Sequence, residues 1–221
     1  MVLEFFRGGQ QGAIEEVQAT LVQMLEDGHD VFVTASDALF GGGKSKETKK
    51  EVRSTDKGIN EAQADIRRHL MVHASLNQAD LPVVLQYASI VKDAERVGDY
   101  AKNLYDLVRY GADFSEAADR EELEGYRDAV ASLILEAASV FEAIDTERAQ
   151  ALINKADGFL DQYDAHVKAQ FSSTDEHPAP VARALYYRFL KRTTAHVMNV
   201  LTSLVQPLDR LDYYDEAKED R

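Results

Sequence analysis

The chain has 221 residues, 45% of them hydrophobic, which is enough to bury a sizeable core in one domain or in two small ones. It contains no cysteine, which excludes disulfides, thiolate zinc sites and cysteine nucleophiles, suits a reducing cytosol, and leaves oxygen and imidazole as the only metal donors. A net charge of −14 repels phosphate backbones from most of the surface and disfavours nucleic-acid binding.

The N-terminal Met-Val-Leu-Glu-Phe-Phe-Arg-Gly-Gly lacks the basic-then-apolar form of a leader, and no stretch approaches the ~18 apolar residues of a membrane span. The expectation is a soluble, cytoplasmic, unprocessed protein without membrane insertion. A first helix is predicted from about Gly12 to Leu39, with Ile14, Val17, Leu21 and Leu25 on one face, stopping at Gly41-Gly42-Gly43. Lys44, Lys46, Lys49, Lys50 and Arg53 follow and read as a solvated loop and first helical turns. Gly41-Gly42-Gly43-Lys44-Ser45 lacks the spacing of a P-loop.

The second helix begins near Ser45 and repeats Val52, Ile59, Ile66 and His73 every seven residues, the spacing of a bundle seam. Residues 75–82 connect it to the third helix, with Asp80 as a cap and Pro82 in the first turn. The third helix runs to about Tyr110. Its seam is Ile90, Ala94, Val97, Ala101, Leu104 and Val108, at alternating spacings of four and three. Ser115 is expected to cap a fourth helix ending near Ile144, and Asp145-Thr146 turns into a fifth that ends near Phe171. The loop 172–180 holds Pro178 and Pro180. A sixth helix is predicted from Val181 to about Leu211, followed by a charged tail that frays.

The expected fold is therefore all-α: six long helices in two tandem three-helix bundles, residues 1–112 and 113–221. An internal duplication supports this, because Asp56-Lys57-Gly58-Ile59-Asn60 and Asp157-Gly158-Phe159-Leu160-Asp161 occupy the two second helices. Glu95–Asn103 likewise lies over Lys191–Asn199, with arginine and asparagine coinciding.

Glu95, Asp99 and Asn103 form an oxygen-bearing stripe on the third helix. Measured from the seam at roughly 100° per residue, these residues and Asp106 face outward. Asp56 and Asn60 sit at the edge of the second-helix seam, so an antiparallel pair of helices brings them to Glu95 and Asp99. Such a set suits a hard cation better than acid–base catalysis, since solvated carboxylates keep ordinary pKa values. Equally, it reads as plain solvated charge. No Glu-x-x-His pair of the kind that holds two irons inside a bundle is present.

Asp93–Asn103 resembles the signature of the PhoU family of phosphate-uptake regulators, in which Glu-Arg-(apolar)-Gly-Asp and a downstream Asn lie on the third helix of each repeat. The second-helix Asp-x-x-(apolar)-Asp segments are similar to Asp56–Asn60 and Asp157–Asp161. The resemblance implies a non-enzymatic accessory protein that binds metal, often iron, and acts with a membrane phosphate transporter or its sensor kinase; the pairs of long helices with exposed tyrosines, apart from the resemblance, are compatible with a homodimer. Residue by residue, it places a metal at Asp56, Asn60, Glu95 and Asp99. In the second half Lys191 and Ala195 replace the carboxylates, and Lys191 is expected to neutralise Asp157 and Asp161, leaving one metal site per chain. The alternative function is a metal-dependent enzyme or metal store using the same carboxylates.

Among other candidates, His69 and His73 are four apart, but His73 falls on the seam and reads as a satisfied core histidine, as does His196. His29, His166 and His177 have no recognisable partner in the sequence. Tyr186, Tyr187, Tyr213 and Tyr214 read first as packing between helices and second as a partner or dimer contact.

Overall fold

The computed structural model describes residues 2–42, 45–175 and 179–211. Lys44, His177, Pro178, Tyr213, Tyr214 and the rest of the tail lie outside these residues. Six helices form: α1 Val2–Asp37, α2 Lys46–Leu76, α3 Leu81–Arg109, α4 Arg120–Ala143, α5 Thr146–Gln170 and α6 Ala179–Thr202. Two helix starts follow directly from capping chemistry. Ser45 accepts a hydrogen bond from the Thr48 amide, and Asp145 accepts one from Arg148, each satisfying a donor that the first helical turn leaves open.

Other boundaries differ from expectation for local reasons. Helix α1 begins at Val2, ten residues before Gly12. Helix α4 begins at Arg120 because residues 114–119 form tight turns. Ser115 does not cap it, and Asp119 at its N-terminus is engaged by Arg183 of α6, whose Nη2 donates at 2.7 Å. Asp80 makes no capping bond to α3; its Oδ2 meets His73 Nε2 at 2.9 Å, so His73 is the satisfied, buried histidine the seam predicted. Helix α6 stops at Thr202, and Pro207, which has no amide hydrogen, precedes a short 3₁₀ turn at Leu208–Arg210.

The first three helices pack on one another and so do the last three; α3 also crosses α6, and α1 lies against α4. The seams of α1, α2 and α3 merge with those of α4–α6 into one continuous core. Helix α3 is the hinge of this arrangement because it is covered by α1, α2 and α6. Gly98 sets how closely α2 approaches, since a Cβ there would stand 2.9 Å from Ile59 Cδ1. Tyr186 and Tyr187 are buried packing residues, with Tyr186 donating to the Leu123 carbonyl at 2.7 Å. His166 does have partners, contrary to the sequence reading: it bonds the Tyr126 hydroxyl at 2.7 Å and stacks on Tyr187. His29 likewise meets its neighbour Asp30 at 2.9 Å.

Candidate functional site

Helix α3 carries a second stripe beyond its seam. Val91, Glu95, Gly98, Lys102 and Tyr105 recur at spacings of four and three, which aligns them along one face of a helix. That face meets α2: Gly98 touches Ile59, Lys102 reaches Asp56, and the Tyr105 hydroxyl donates to the Ser45 carbonyl at 3.2 Å. The outward-facing reading of Glu95 is therefore corrected. Glu95 is only 9% exposed, because a helix packed on three sides buries a second line of residues that a single-seam projection leaves in solvent.

At the centre of this face the Lys102 ammonium donates to Asp56 Oδ1 at 2.9 Å and Oδ2 at 3.1 Å, and to Asp99 Oδ1 at 2.9 Å. Arg96 holds the other Asp99 oxygen at 2.9 Å. Burial alone would lower the Lys102 pKa, but hydrogen bonds to Asp99 and Asp56 and their charges outweigh it and hold the ammonium above its ordinary value. Burial pushes the Glu95 carboxyl up, and the Asp99 charge and a hydrogen bond to Asp99 add to this against the opposing pull of Arg96.

Of the four expected metal ligands, Asp56, Glu95 and Asp99 are brought together. Asn60 is not: its amide is exposed and donates to its own helix at the Asp56 carbonyl, 2.8 Å away. Asp56 and Asp99 close on Lys102 instead of on a shared open point. Among the described residues no group of three or more His, Asp or Glu side chains is placed to hold a metal ion. These residues fit a hard cation only in competition with Lys102.

In the second half, Lys191 pairs with Asp164 of α5, one turn beyond Asp161, and Ala195 is buried. The segment laid over the signature does more than fill space. Arg192, His196 and Asn199, at spacings of four and three, form a stripe on α6 that faces α3. Asp93 Oδ1 accepts from His196 Nδ1 at 2.8 Å and from Asn199 Nδ2 at 3.1 Å. With Nδ1 donating, His196 Nε2 accepts from Arg192 Nη2 at 3.3 Å. Arg192 Nε donates to the Tyr100 hydroxyl, also at 3.3 Å, and the Tyr100 ring stacks on His196. The sequence contained this signal as the arginine and asparagine shared with Glu95–Asn103, but the partner, Asp93, becomes visible only when α3 is laid against α6.

Residues 14–108 match the family model of the PhoU domain, from the first buried turns of α1 to the end of α3 and through the whole Lys102 cluster. The first half of the chain is thus similar to the PhoU domain. A phosphate-specific transport system accessory protein PhoU homolog from Aquifex aeolicus (strain VF5) is 24% identical over 182 residues, covering 81% of each chain. The crystal structure of the phosphate transport system regulatory protein PhoU from Streptococcus pneumoniae superposes with a TM-score of 0.77 at 20% identity, covering 92% of this chain and 96% of that one. PhoU from Pseudomonas aeruginosa gives 0.74 at 20% identity, covering 91% and 97%. These likenesses establish the PhoU fold, all-α with six helices, across both halves.

Proposed function

We propose that this PhoU-like chain is an accessory protein of phosphate uptake and phosphate-starvation signalling that works in the cytoplasm by contact with a membrane phosphate transporter or its sensor kinase. The observation that carries this reading is the PhoU-domain match over 14–108. The relatives' names describe accessory and regulatory proteins, not enzymes, and the fold is consistent with that role. Among the described residues no helix is long and apolar enough to cross a membrane, so contact with a membrane system is through protein surfaces. The end of the α2–α3 hairpin suits such contact: Met71, Val72, Leu76, Leu81 and Leu85 stand exposed together, with Leu76 at 74%.

The metal expectation enters this proposal in a narrower form. A hard cation at Asp56, Glu95 and Asp99 gains three carboxylate oxygens but must first displace the Lys102 ammonium from two of them. Asn60 takes no part.

Deletion of the gene, with phosphate uptake and a starvation-responsive reporter measured at high and low phosphate, tests the role. The expected result is a reporter active at high phosphate and restored to repression by the wild-type chain. Unchanged uptake and reporter in the deletion strain would remove the proposal.

A further inference from the structure

The stripe Arg192, His196 and Asn199 does not close completely on α3. It leaves a cleft of about 270 Å³ whose polar lining is Ser89, Lys92 and Asp93 from α3 and those three residues from α6. This is smaller than pockets that take drug-sized molecules, roughly 300–1,000 Å³, and suits a small ion.

Two features of the lining restrict that ion. The cations are available. Lys92 and Arg192, like several exposed cations, form no ion pair with a described carboxylate; Arg192 gives Nε to the Tyr100 hydroxyl and Nη2 to His196, which leaves its Nη1 for a ligand. Arg192 is half-buried in a chain of net charge −14, so an unpaired guanidinium at this seam is a standing site for an oxyanion.

The acceptors are also specific. Asn199 is 3% exposed, and because Asp93 can only accept, the Asn199 amide nitrogen must face it. That fixes Asn199 Oδ1 as a buried acceptor, and it has no hydrogen-bond partner. Donors at Arg192 and Lys92 thus share the cleft with acceptors at Asn199 Oδ1 and Asp93, the Ser89 hydroxyl already donating to the Leu85 carbonyl. An oxyanion that fills it must both accept and donate.

We propose that this α3–α6 cleft binds inorganic phosphate in a protonated form. Near neutral pH phosphate carries one or two O–H groups, which donate to Asn199 Oδ1 and Asp93 while the remaining oxygens accept from Arg192 and Lys92. Sulfate has the same shape but no proton to give, so it leaves Asn199 unsatisfied and sets its charge against Asp93. The chemistry stands on the cleft; its biological meaning, phosphate itself reporting to an accessory protein of phosphate uptake, rests on the proposed function.

Calorimetric titration of the full chain with potassium phosphate and with potassium sulfate, at matched ionic strength, tests the assignment. Saturable phosphate binding at one site per chain is expected, with sulfate at least about tenfold weaker and Arg192→Gln weakening phosphate at least about tenfold. Asn199→Leu narrows the gap between the two anions. Lys92 is on the surface, so Lys92→Gln gives a folded variant even if the α6 variants unfold, and it too must weaken phosphate. Absence of phosphate binding, equal affinity for sulfate, or unchanged affinity in Arg192→Gln or Lys92→Gln overturns the proposal. Failure here with the expected loss of reporter repression in the deletion strain removes the phosphate site and leaves the accessory role; binding without that phenotype does the reverse.

Discussion

In the first half of the chain, Lys102 on α3 joins Asp99 on its own helix to Asp56 on α2; in the second half, Lys191 on α6 joins Asp164 on α5. The sequence makes these halves look opposite, one with an acidic metal signature and one with the signature broken by a lysine. In the structure both carry an ammonium between the second and third helices of their set. The difference lies in burial. Around Lys102 the carboxylates are partly buried and share a low-dielectric seam with Glu95, while Asp164 is solvent-exposed. Paired charge is worth more where solvent is excluded, so the first-half cluster is the energetically committed one.

The packing beneath the clusters differs as well. Gly98 in the first half lets Ile59 approach, and Thr194, the residue laid over it, is fully buried beside Tyr163 in the second. The largest expected effect comes from closing that gap. Gly98→Leu drives a side chain into Ile59 and forces α2 away from α3, destabilising the fold by roughly 1–3 kcal/mol in denaturant unfolding and separating Asp56 from Lys102. Equal stability in Gly98→Leu would show that α2 and α3 are not set by this contact.

Lys102→Met comes next. It leaves Asp56 and Asp99 facing each other without their shared cation, and after allowance for solvent screening it costs about 1 kcal/mol in metal-free buffer. Lys191→Met in the second half is the control and should fall within about 0.5 kcal/mol of wild type, because its partner is exposed. If the two variants lose equal stability, the contrast between the halves disappears.

Glu95→Gln sharpens the same point through pH. A carboxyl with a raised folded-state pKa holds its proton more tightly in the native chain than in the unfolded one. Ionising Glu95 therefore costs stability as pH climbs from the ordinary value of 4.5 through its folded value, and below 4.5 the cost is absent. Removing the charge should stabilise the protein by less than about 1 kcal/mol at neutral pH, with the gain fading toward pH 4.5. Thermal melts across that range that show a constant or growing gain on acidification would refute the buried placement of Glu95.

The helices were legible because their signals are local. The α3 seam from Ile90 to Val108 is buried at every position, and α2 and α5 begin beside Ser45 and Asp145, where a helix start and a turn were expected, although the two caps expected at Asp80 and Ser115 do not form. Ends set by tertiary contacts were not legible: Asp119 terminates the 114–119 turns by gripping Arg183, 64 residues away. The candidate ligands were found as a set, but their surroundings were not, since Glu95 is covered by a second packing stripe and Asn60 is turned along its own helix. Lys102 stood in full view within the signature. Its role depends on the register of α2 against α3, which no single-helix pattern contains.

Titration of purified, metal-free protein with manganese(II), an oxygen-seeking cation, compares the wild type and Lys102→Met most directly. If Lys102 occupies the cation position, the wild type binds weakly, Lys102→Met binds one equivalent at least about tenfold more tightly, and adding Asp56→Asn to it abolishes the gain. Tight binding by the wild type that is unchanged in Lys102→Met would contradict the account.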